Sequence, residues 1–280
     1  DKEDNYEDRF TNDSILHTAA ISYANDDFSV SVGRQEIDLE WLGDYNEALV
    51  IGINSISDTS VVLGYADRQV AIGDDESDDF SEVTDKGAYV VDIKNASIAN
   101  IELNPYFYSA PDEVSFYGLK TTFENDIFGL VAHYATSDVD ANAVALAGTK
   151  DGNILHLEAN TNISGLSVAL GYIKTDDNGI GGMDTYGENI SPTKEIDGEV
   201  YGNDAKTIYA SLGYTISGVK LGLLYADTEY ETNKDADELT LKASYDITDE
   251  VGVSLRFSDE GSSTAANERT ETVASLTYSF

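Results

Sequence analysis

The feature that most constrains this chain is a two-residue alternation of apolar and polar side chains along most of its length. In residues 219–225 the odd positions are large and apolar, whereas the even positions are mostly small or charged. Residues 166–174, 239–247 and 251–258 show the same pattern. Successive side chains of a β-strand point to opposite faces, so this pattern predicts strands with one apolar and one polar face.

The connections between these segments alternate in length. We predict about fifteen strands, each near the ~9–11 residues of a tilted membrane-spanning strand. They lie near residues 14–24, 28–34, 47–54, 59–68, 87–93, 101–109, 113–123, 127–137, 153–163, 166–175, 205–216, 219–230, 237–247, 251–258 and 271–280. Short turns follow every second strand, and mostly long, acidic connections lie between them, at residues 35–46, 69–86, 138–152, 176–204, 231–236 and 259–270.

Two connections depart from this trend, a longer one at residues 94–100 among the short turns and a tight one at residues 110–112 among the long loops. Outer-membrane barrels have short turns at one end and long loops at the other. A Greek-key sandwich shows no such alternation, because its connections cross between sheets. The sequence therefore predicts one all-β domain over residues 1–280, an antiparallel transmembrane β-barrel, and with it a location in a bacterial outer membrane.

Composition excludes several classes of protein. The formal net charge of −37 argues against nucleic acid as a partner, because phosphate would be repelled. The 280 residues include no cysteine, which rules out disulfides and thiolate ligands. The three histidines are scattered without metal-ligand spacing, and no catalytic cluster stands out, so we predict that the protein is not an enzyme.

The C-terminus fits a barrel. Leu276, Tyr278 and Phe280 alternate on one face of the last predicted strand, which resembles the signal read by the bacterial barrel-assembly machinery. Aromatic residues also recur on the apolar faces of other strands, as expected for the girdles at a membrane interface. If Phe280 ends at the periplasmic side, the odd strand count implies that an odd number of N-terminal strands is absent here, with 16–18 strands in the complete barrel.

Five stretches resemble the Opr-type porins of Campylobacter and its relatives, the group that includes the Campylobacter major outer membrane protein. They are residues 32–48 (VGRQEIDLEWLGDYNEA), 63–69 (LGYADRQ), 104–111 (NPYFYSAP), 117–122 (YGLKTT) and 276–280 (LTYSF). The resemblance implies an eighteen-stranded barrel that assembles as a homotrimer and conducts ions and small hydrophilic solutes. It also implies that residues 35–46 form the loop that folds into the lumen. Calcium binding is known in this group, but its ligands cannot be mapped onto this sequence.

Charged residues on the polar faces of the strands and in residues 35–46 are candidates for the lining of a hydrated lumen. Facing lipid, each charge would cost about 2–4 kcal/mol near the midplane. The candidates for the lining or a constriction are Arg34, Glu36, Asp38, Glu40, Asp44, Arg68, Glu102, Lys120, Glu158 and Arg256. In residues 36–41 acidic and apolar residues alternate, so the apolar ones could pack on the wall while the acidic ones face the pore. For any single candidate, a merely solvated wall is the simpler interpretation.

Several functions remain open at this stage. The acidic loops should concentrate cations at the channel mouth, which predicts a cation preference. A substrate-selective channel on the same fold is an alternative that the sequence does not separate from a general porin. Others are a surface adhesin, a plugged barrel enzyme and a soluble acidic β-protein. No cofactor is expected, although clustered carboxylates could bind Ca²⁺.

Overall fold

The structure, a computed structural model, describes residues 16–70, 79–232, 234–263 and 268–279. Two compact units can be distinguished. Unit 1 comprises the described residues of Asp1–Lys120, Ala135–Asp151 and Gly181–Ile190, and unit 2 those of Thr121–Tyr134, Gly152–Ile180 and Ser191–Phe280. The single domain expected over residues 1–280 stays a prediction.

Nearly all regular structure is antiparallel β-sheet. The strands are β1 (Ala19–Ala24), β2 (Phe28–Glu36), β3 (Tyr45–Ile56), β4 (Thr59–Val70), β5 (Ser81–Glu82), β6 (Ala88–Ile98), β7 (Ile101–Ala110), β8 (Val114–Glu124), β9 (Gly129–Val139), β10 (Asn153–Ile163), β11 (Leu166–Thr175), β12 (Lys206–Ile216), β13 (Val219–Tyr230), β14 (Lys234–Asp246), β15 (Val251–Ser262) and β16 (Arg269–Tyr278). Strands are neighbours in sequence order, except that the two-residue β5 lies beside β4 off the main path. One helical turn, α1 (Asp197–Val200), lies between β11 and β12. No helix of the described ranges is both long and apolar enough to span a membrane.

The fifteen predicted strands are all present, which confirms the antiparallel all-β prediction. Several connections differ from the prediction. β6 continues to Ile98, with an irregular register between Asn95 and Ile98, so the longer connection predicted at residues 94–100 is wrong. Only Ala99 and Asn100 separate β6 from β7, and this turn is therefore as short as the other short turns. The predicted loop at residues 231–236 is also shorter, because β14 begins at Lys234.

The short turns have backbone conformations that fix the pairing of their strands. In the Ser164-Gly165 turn both residues have positive φ, 54° and 84°, and in the Ser217-Gly218 turn the angles are 52° and 85°. Two-residue turns of this left-handed kind match the twist of the strands that they join. In unit 2 the register then runs unbroken from Ile163 paired with Leu166 to Ile154 paired with Thr175.

The two faces of the sheet are unlike in each unit. On what we call the apolar face, large side chains are exposed to the surroundings, for example Phe107 of β7 and Leu170 of β11. On the opposite side, the polar face, small and polar residues are buried, for example Asn104 of β7 and Thr228 of β13. Water-soluble proteins rarely expose contiguous apolar surface on this scale, so the exposed apolar face indicates contact with lipid.

Candidate functional site on the polar face

In unit 1, residues 37–44 between β2 and β3 fold onto the polar face, and we call them loop 37–44. Trp41 is fully buried, and its Nε1 donates a hydrogen bond of 2.8 Å to the Tyr106 hydroxyl. The indole also meets the Phe116 ring edge-on, with 6.1 Å between ring centroids. Tyr106 and Phe116 occupy buried, polar-face positions of β7 and β8. The loop therefore covers the polar face at this point.

Glu40 at the tip of loop 37–44 forms an ion pair with Lys120 of β8. The Glu40 side chain is 10% exposed and that of Lys120 is 30% exposed. Burial raises the pKa of the Glu40 carboxyl above its usual value, although the Lys120 ammonium opposes this rise. Asp92 of β6 is also buried here, and its Oδ1 accepts a hydrogen bond of 2.9 Å from the Asn104 amide. The polar face thus carries charge of both signs beneath the loop.

The other acidic candidates of this region lie on the exposed side of the loop. Glu36 ends β2 and is exposed. Asp38 is exposed, and its Oδ1 accepts a hydrogen bond of 2.7 Å from Asn189. Asp44 has φ +57°, and its carbonyl closes the loop by accepting a hydrogen bond of 2.9 Å from the Ile37 amide. The alternation predicted for residues 36–41 therefore holds for Ile37 and Trp41, which are buried, but Glu40 is buried as well.

Two arginine candidates lie near the loop ends of their strands. Arg34 pairs with Glu47 at 2.8 Å and stacks over the Phe80 ring, 4.4 Å from its centroid. By register, Arg34 shares a face with Val32, which is exposed on the apolar face, so it is not brought to the polar-face cluster. Arg68 donates from Nη2 to the Phe80 carbonyl at 2.5 Å. Glu102 lies on the polar face of β7 and is exposed.

In unit 2, Glu158 belongs to a chain of polar side chains. The Tyr209 hydroxyl donates to Glu158 Oε2 at 2.6 Å and lies 2.8 Å from His156 Nε2. The Asn160 amide donates to the other carboxylate oxygen at 3.0 Å. The Tyr209 ring lies over Gly171, where an added Cβ would come within 2.1 Å of it. These residues line the polar face between β10 and β12.

Arg256 joins a second charged cluster of unit 2. It forms an ion pair with Glu271 of β16, which also pairs with Arg269 at 3.0 Å. Arg269 reaches Glu195 at 3.5 Å, in the connection before α1. Burial, followed by the nearby Glu271 carboxylate, raises the pKa of Glu195, whereas Arg269 opposes this rise.

Glu238 of β14 is a site residue that the sequence analysis did not select. It is fully buried, and its Oε2 accepts backbone hydrogen bonds from Lys194 at 2.9 Å and Glu195 at 2.7 Å. Its Oε1 accepts a bond of 2.6 Å from the Thr240 hydroxyl. Glu238 therefore ties the connection before α1 to the polar face. Its position two residues before Thr240, on the same face of the alternating pattern, was the feature of the sequence that could have identified it.

The predicted assembly signal lies on the apolar face as far as the structure describes it. Leu276 and Tyr278 are 74% and 65% exposed in β16, and Phe280 lies outside the described residues.

Within the described ranges, no group of three or more acidic or histidine side chains is arranged to hold a metal ion.

Comparisons with known proteins agree on the fold. No family model matches the sequence, and no curated protein matches it. Among solved structures, a BenF-like porin from Pseudomonas fluorescens Pf-5 is 13% identical with a TM-score of 0.77, covering 92% of this chain and 76% of that one. OccK3 (OpdO) from Pseudomonas aeruginosa is 14% identical with a TM-score of 0.76, covering 92% and 78%. OccAB4 from Acinetobacter baumannii is 16% identical with a TM-score of 0.74, covering 92% and 73%.

The chain therefore has the fold of the outer-membrane porins, an antiparallel β-barrel. This confirms the predicted fold class. The similar structures come from Pseudomonas and Acinetobacter, so they support a porin-type barrel in general rather than the Campylobacter group in particular. One of these similar structures is named as a porin, and none of the three is named as an enzyme.

Proposed function

We propose that the protein is an outer-membrane porin, a water-filled channel for passive diffusion of ions and small hydrophilic solutes. The observation that carries the proposal is the contrast between the two faces of the sheet within a porin fold. Ion pairs such as Glu40–Lys120 and Arg256–Glu271 lie on the polar face, whereas large side chains are exposed on the other. Charges gathered on one side of a membrane-spanning sheet are stable there only with water or partners around them.

A preference for cations is the finer part of the proposal. It is supported by the net charge of −37 and by acidic loops such as residues 74–79, of which the structure describes only Asp79. Such a surplus raises the local concentration of cations at a channel mouth. Exposed carboxylates of the polar face, Glu102 among them, extend the same sign of charge into the strands.

The setting of the channel follows from the same proposal. Its partners are the lipid bilayer of the outer membrane and, during biogenesis, the barrel-assembly machinery that would read Leu276, Tyr278 and Phe280. Assembly as a homotrimer and membership of the Opr-type group of Campylobacter rest on the sequence resemblance alone, whereas Ca²⁺ binding rests on that resemblance and on the clustered carboxylates of the sequence. Residues 32–48, the longest of the matching stretches, contain loop 37–44, which packs on the polar face.

A substrate-selective channel is the second candidate. It is favoured by the covered polar face in unit 1, where Glu40 and Lys120 are fixed as a pair rather than free in solution. A fixed pair of opposite charges discriminates among solutes by their own charge pattern, which a merely wide channel does not do. A BenF-like porin is also among the similar structures.

Planar-bilayer recording under a KCl gradient tests the proposal. The detergent-purified, heat-modifiable protein should give stepwise conductance with a cation-selective reversal potential. Glu102→Gln removes an exposed carboxylate from the polar face and should lower the cation preference. Glu229→Gln is the matched control, because Glu229 is an exposed glutamate at an apolar-face position of β13.

Each part of the proposal has its own contrary result. An anion-selective reversal potential would contradict the cation preference while leaving the channel intact. A folded protein without any conductance would contradict the porin itself and favour an adhesin or a plugged barrel. Saturable flux of one solute class, with little flux of others of the same size, would favour the substrate-selective candidate.

A further inference from the structure

Loop 37–44 has a second neighbour besides strands β7 and β8. In unit 1 it meets residues 181–190, which we call the lock segment, and the two backbones touch at Gly43 and Tyr186. The Gly43 amide donates to the Tyr186 carbonyl at 2.9 Å. Gln69 of β4 donates from Nε2 to both the Gly43 carbonyl at 2.9 Å and the Tyr186 carbonyl at 2.8 Å. One side-chain amide thus bridges the loop and the lock segment.

Asn189 makes the second connection. Its Nδ2 donates to Asp38 Oδ1 at 2.7 Å and to the Leu39 carbonyl at 3.0 Å. Both acceptors belong to loop 37–44, next to Glu40. A hydrogen bond to a carboxylate is stronger than one between neutral groups. The exposed Asn189 therefore holds the loop at the point where its acidic tip begins.

The lock segment is itself well anchored. Met183, Tyr186 and Ile190 are buried, and burial raises the pKa of the Tyr186 hydroxyl to about 12. Gly187 has φ +111°, and a Cβ added there would come within 2.5 Å of the Gly43 amide nitrogen. The two backbones therefore approach as closely as a glycine allows.

We propose that the lock segment positions loop 37–44, with Asn189 as the positioning residue. Strands β7 and β8 hold Trp41 and Glu40, whereas Asn189 of the lock segment and Gln69 of β4 hold the rest of the loop. Loop 37–44 narrows a channel only if the proposed function is right. Its docking, however, can be measured without any channel, because Trp41 is the only tryptophan of the chain and belongs to the loop.

The test uses Trp41 fluorescence of the detergent-folded protein. Asn189→Asp replaces the donating amide by a carboxylate of the same shape, which repels Asp38 and the Leu39 carbonyl. We expect red-shifted emission and a larger acrylamide quenching constant, because a released indole meets water. Asn203→Asp is the matched control, since it adds the same charge at an exposed position of the same connection between β11 and β12. It should leave the emission unchanged.

An exchanged pair separates the hydrogen bond from the added charge. In the double variant Asp38→Asn/Asn189→Asp, the amide at position 38 can donate to the carboxylate at position 189, and the net charge equals that of the wild type. Emission and quenching should return most of the way to wild-type values. The contact of Asn189 with the Leu39 carbonyl is not restored, so the return should be incomplete.

Gly187→Ala provides an independent variant, because it forces the two backbones apart without changing charge. Gly148→Ala is its control, since Gly148 also has positive φ, +90°, but has open space where a Cβ would lie. Wild-type fluorescence in both Asn189→Asp and Gly187→Ala would overturn the proposal that the lock segment positions loop 37–44. The same shift in the control variants, or no return in the exchanged pair, would also overturn it. If the fluorescence changes are as expected but the protein gives no conductance in planar bilayers, only the proposed channel function is overturned.

Discussion

The ion pair between Glu40 and Lys120 offers the sharpest quantitative test of how loop 37–44 is held. Lys120→Met removes the cation and keeps an unbranched side chain of similar length at the polar face of β8. The Glu40 carboxylate, 10% exposed, then loses its partner. The matched control is Lys220→Met, because Lys220 pairs with Asp246 at 3.0 Å while the two side chains are 60% and 66% exposed.

The expected magnitudes follow from burial. Removing one partner of a buried ion pair costs about 3–5 kcal/mol. Lys120 is 30% exposed, so the lower end, about 3 kcal/mol, applies. An exposed pair such as Lys220–Asp246 contributes about 0–1 kcal/mol. The two variants should therefore differ by at least about 2 kcal/mol in the free energy of unfolding, or roughly 30-fold or more in the equilibrium constant.

Urea-induced unfolding from lipid vesicles, followed by Trp41 fluorescence, measures both variants. The double variant Glu40→Gln/Lys120→Met should recover most of the lost stability, because no unpaired charge remains.

The pH dependence of this cost also has a definite sign. Burial raises the pKa of the Glu40 carboxyl in the folded state, and removal of Lys120 raises it further, since the ammonium opposes that shift. Protonation then favours the folded state, so the cost of Lys120→Met should be complete above the raised pKa and shrink as the pH falls below it. Equal costs for Lys120→Met and Lys220→Met would refute this account of the loop.

Two further predictions concern the faces of the sheet. Leu170→Arg places a charge on the apolar face in the middle of β11 and should lower folding stability in bilayers by about 2–4 kcal/mol. Ser211→Arg on the polar face of β12 should cost far less. Equal losses of stability in vesicle-folding titrations would contradict the assignment of the two faces. Glu238→Leu leaves the backbone amides of Lys194 and Glu195 without their acceptor, at a cost of about 1–3 kcal/mol. The variant should be cleaved by trypsin after Lys194 faster than Ser211→Arg is. An unchanged cleavage rate would contradict the role of Glu238 in anchoring this connection.

The strands could be predicted from the sequence because each one carries its own evidence. In residues 219–230 the alternation of large and small side chains depends on neighbours within the strand, and the predicted bounds equal those of β13. The prediction failed where the local pattern breaks. Lys94 and Asn95 interrupt the apolar alternation of β6, so the strand was ended early, although pairing with β7 carries it to Ile98.

The candidate site was harder to predict because its contacts join distant parts of the chain. Glu40 is buried beside its partner Lys120, which lies 80 residues away in the sequence. No local feature of the sequence shows this pairing. Arg34 follows Gly33 at the end of its strand, where alternation alone does not fix the face, and the register with Glu47 decides it. Asn189 has contacts 150 and 151 residues away, and it lies in the long connection predicted at residues 176–204, where no local pattern assigns it a role.

The left-handed two-residue turns restrict where the length of this chain can change. One residue added within Ser164-Gly165 would shift β11 by one step and turn every following side chain to the opposite face until the next irregularity. Leu170 would then meet the charges around Glu158, and the fold could not absorb the change locally. Residues added to the connection between β9 and β10 should cost less, because residues 140–152 form a long connection and not a two-residue turn. Insertions, epitope tags and natural length variation should therefore accumulate at the loop ends of the strands and be nearly absent from the turn ends.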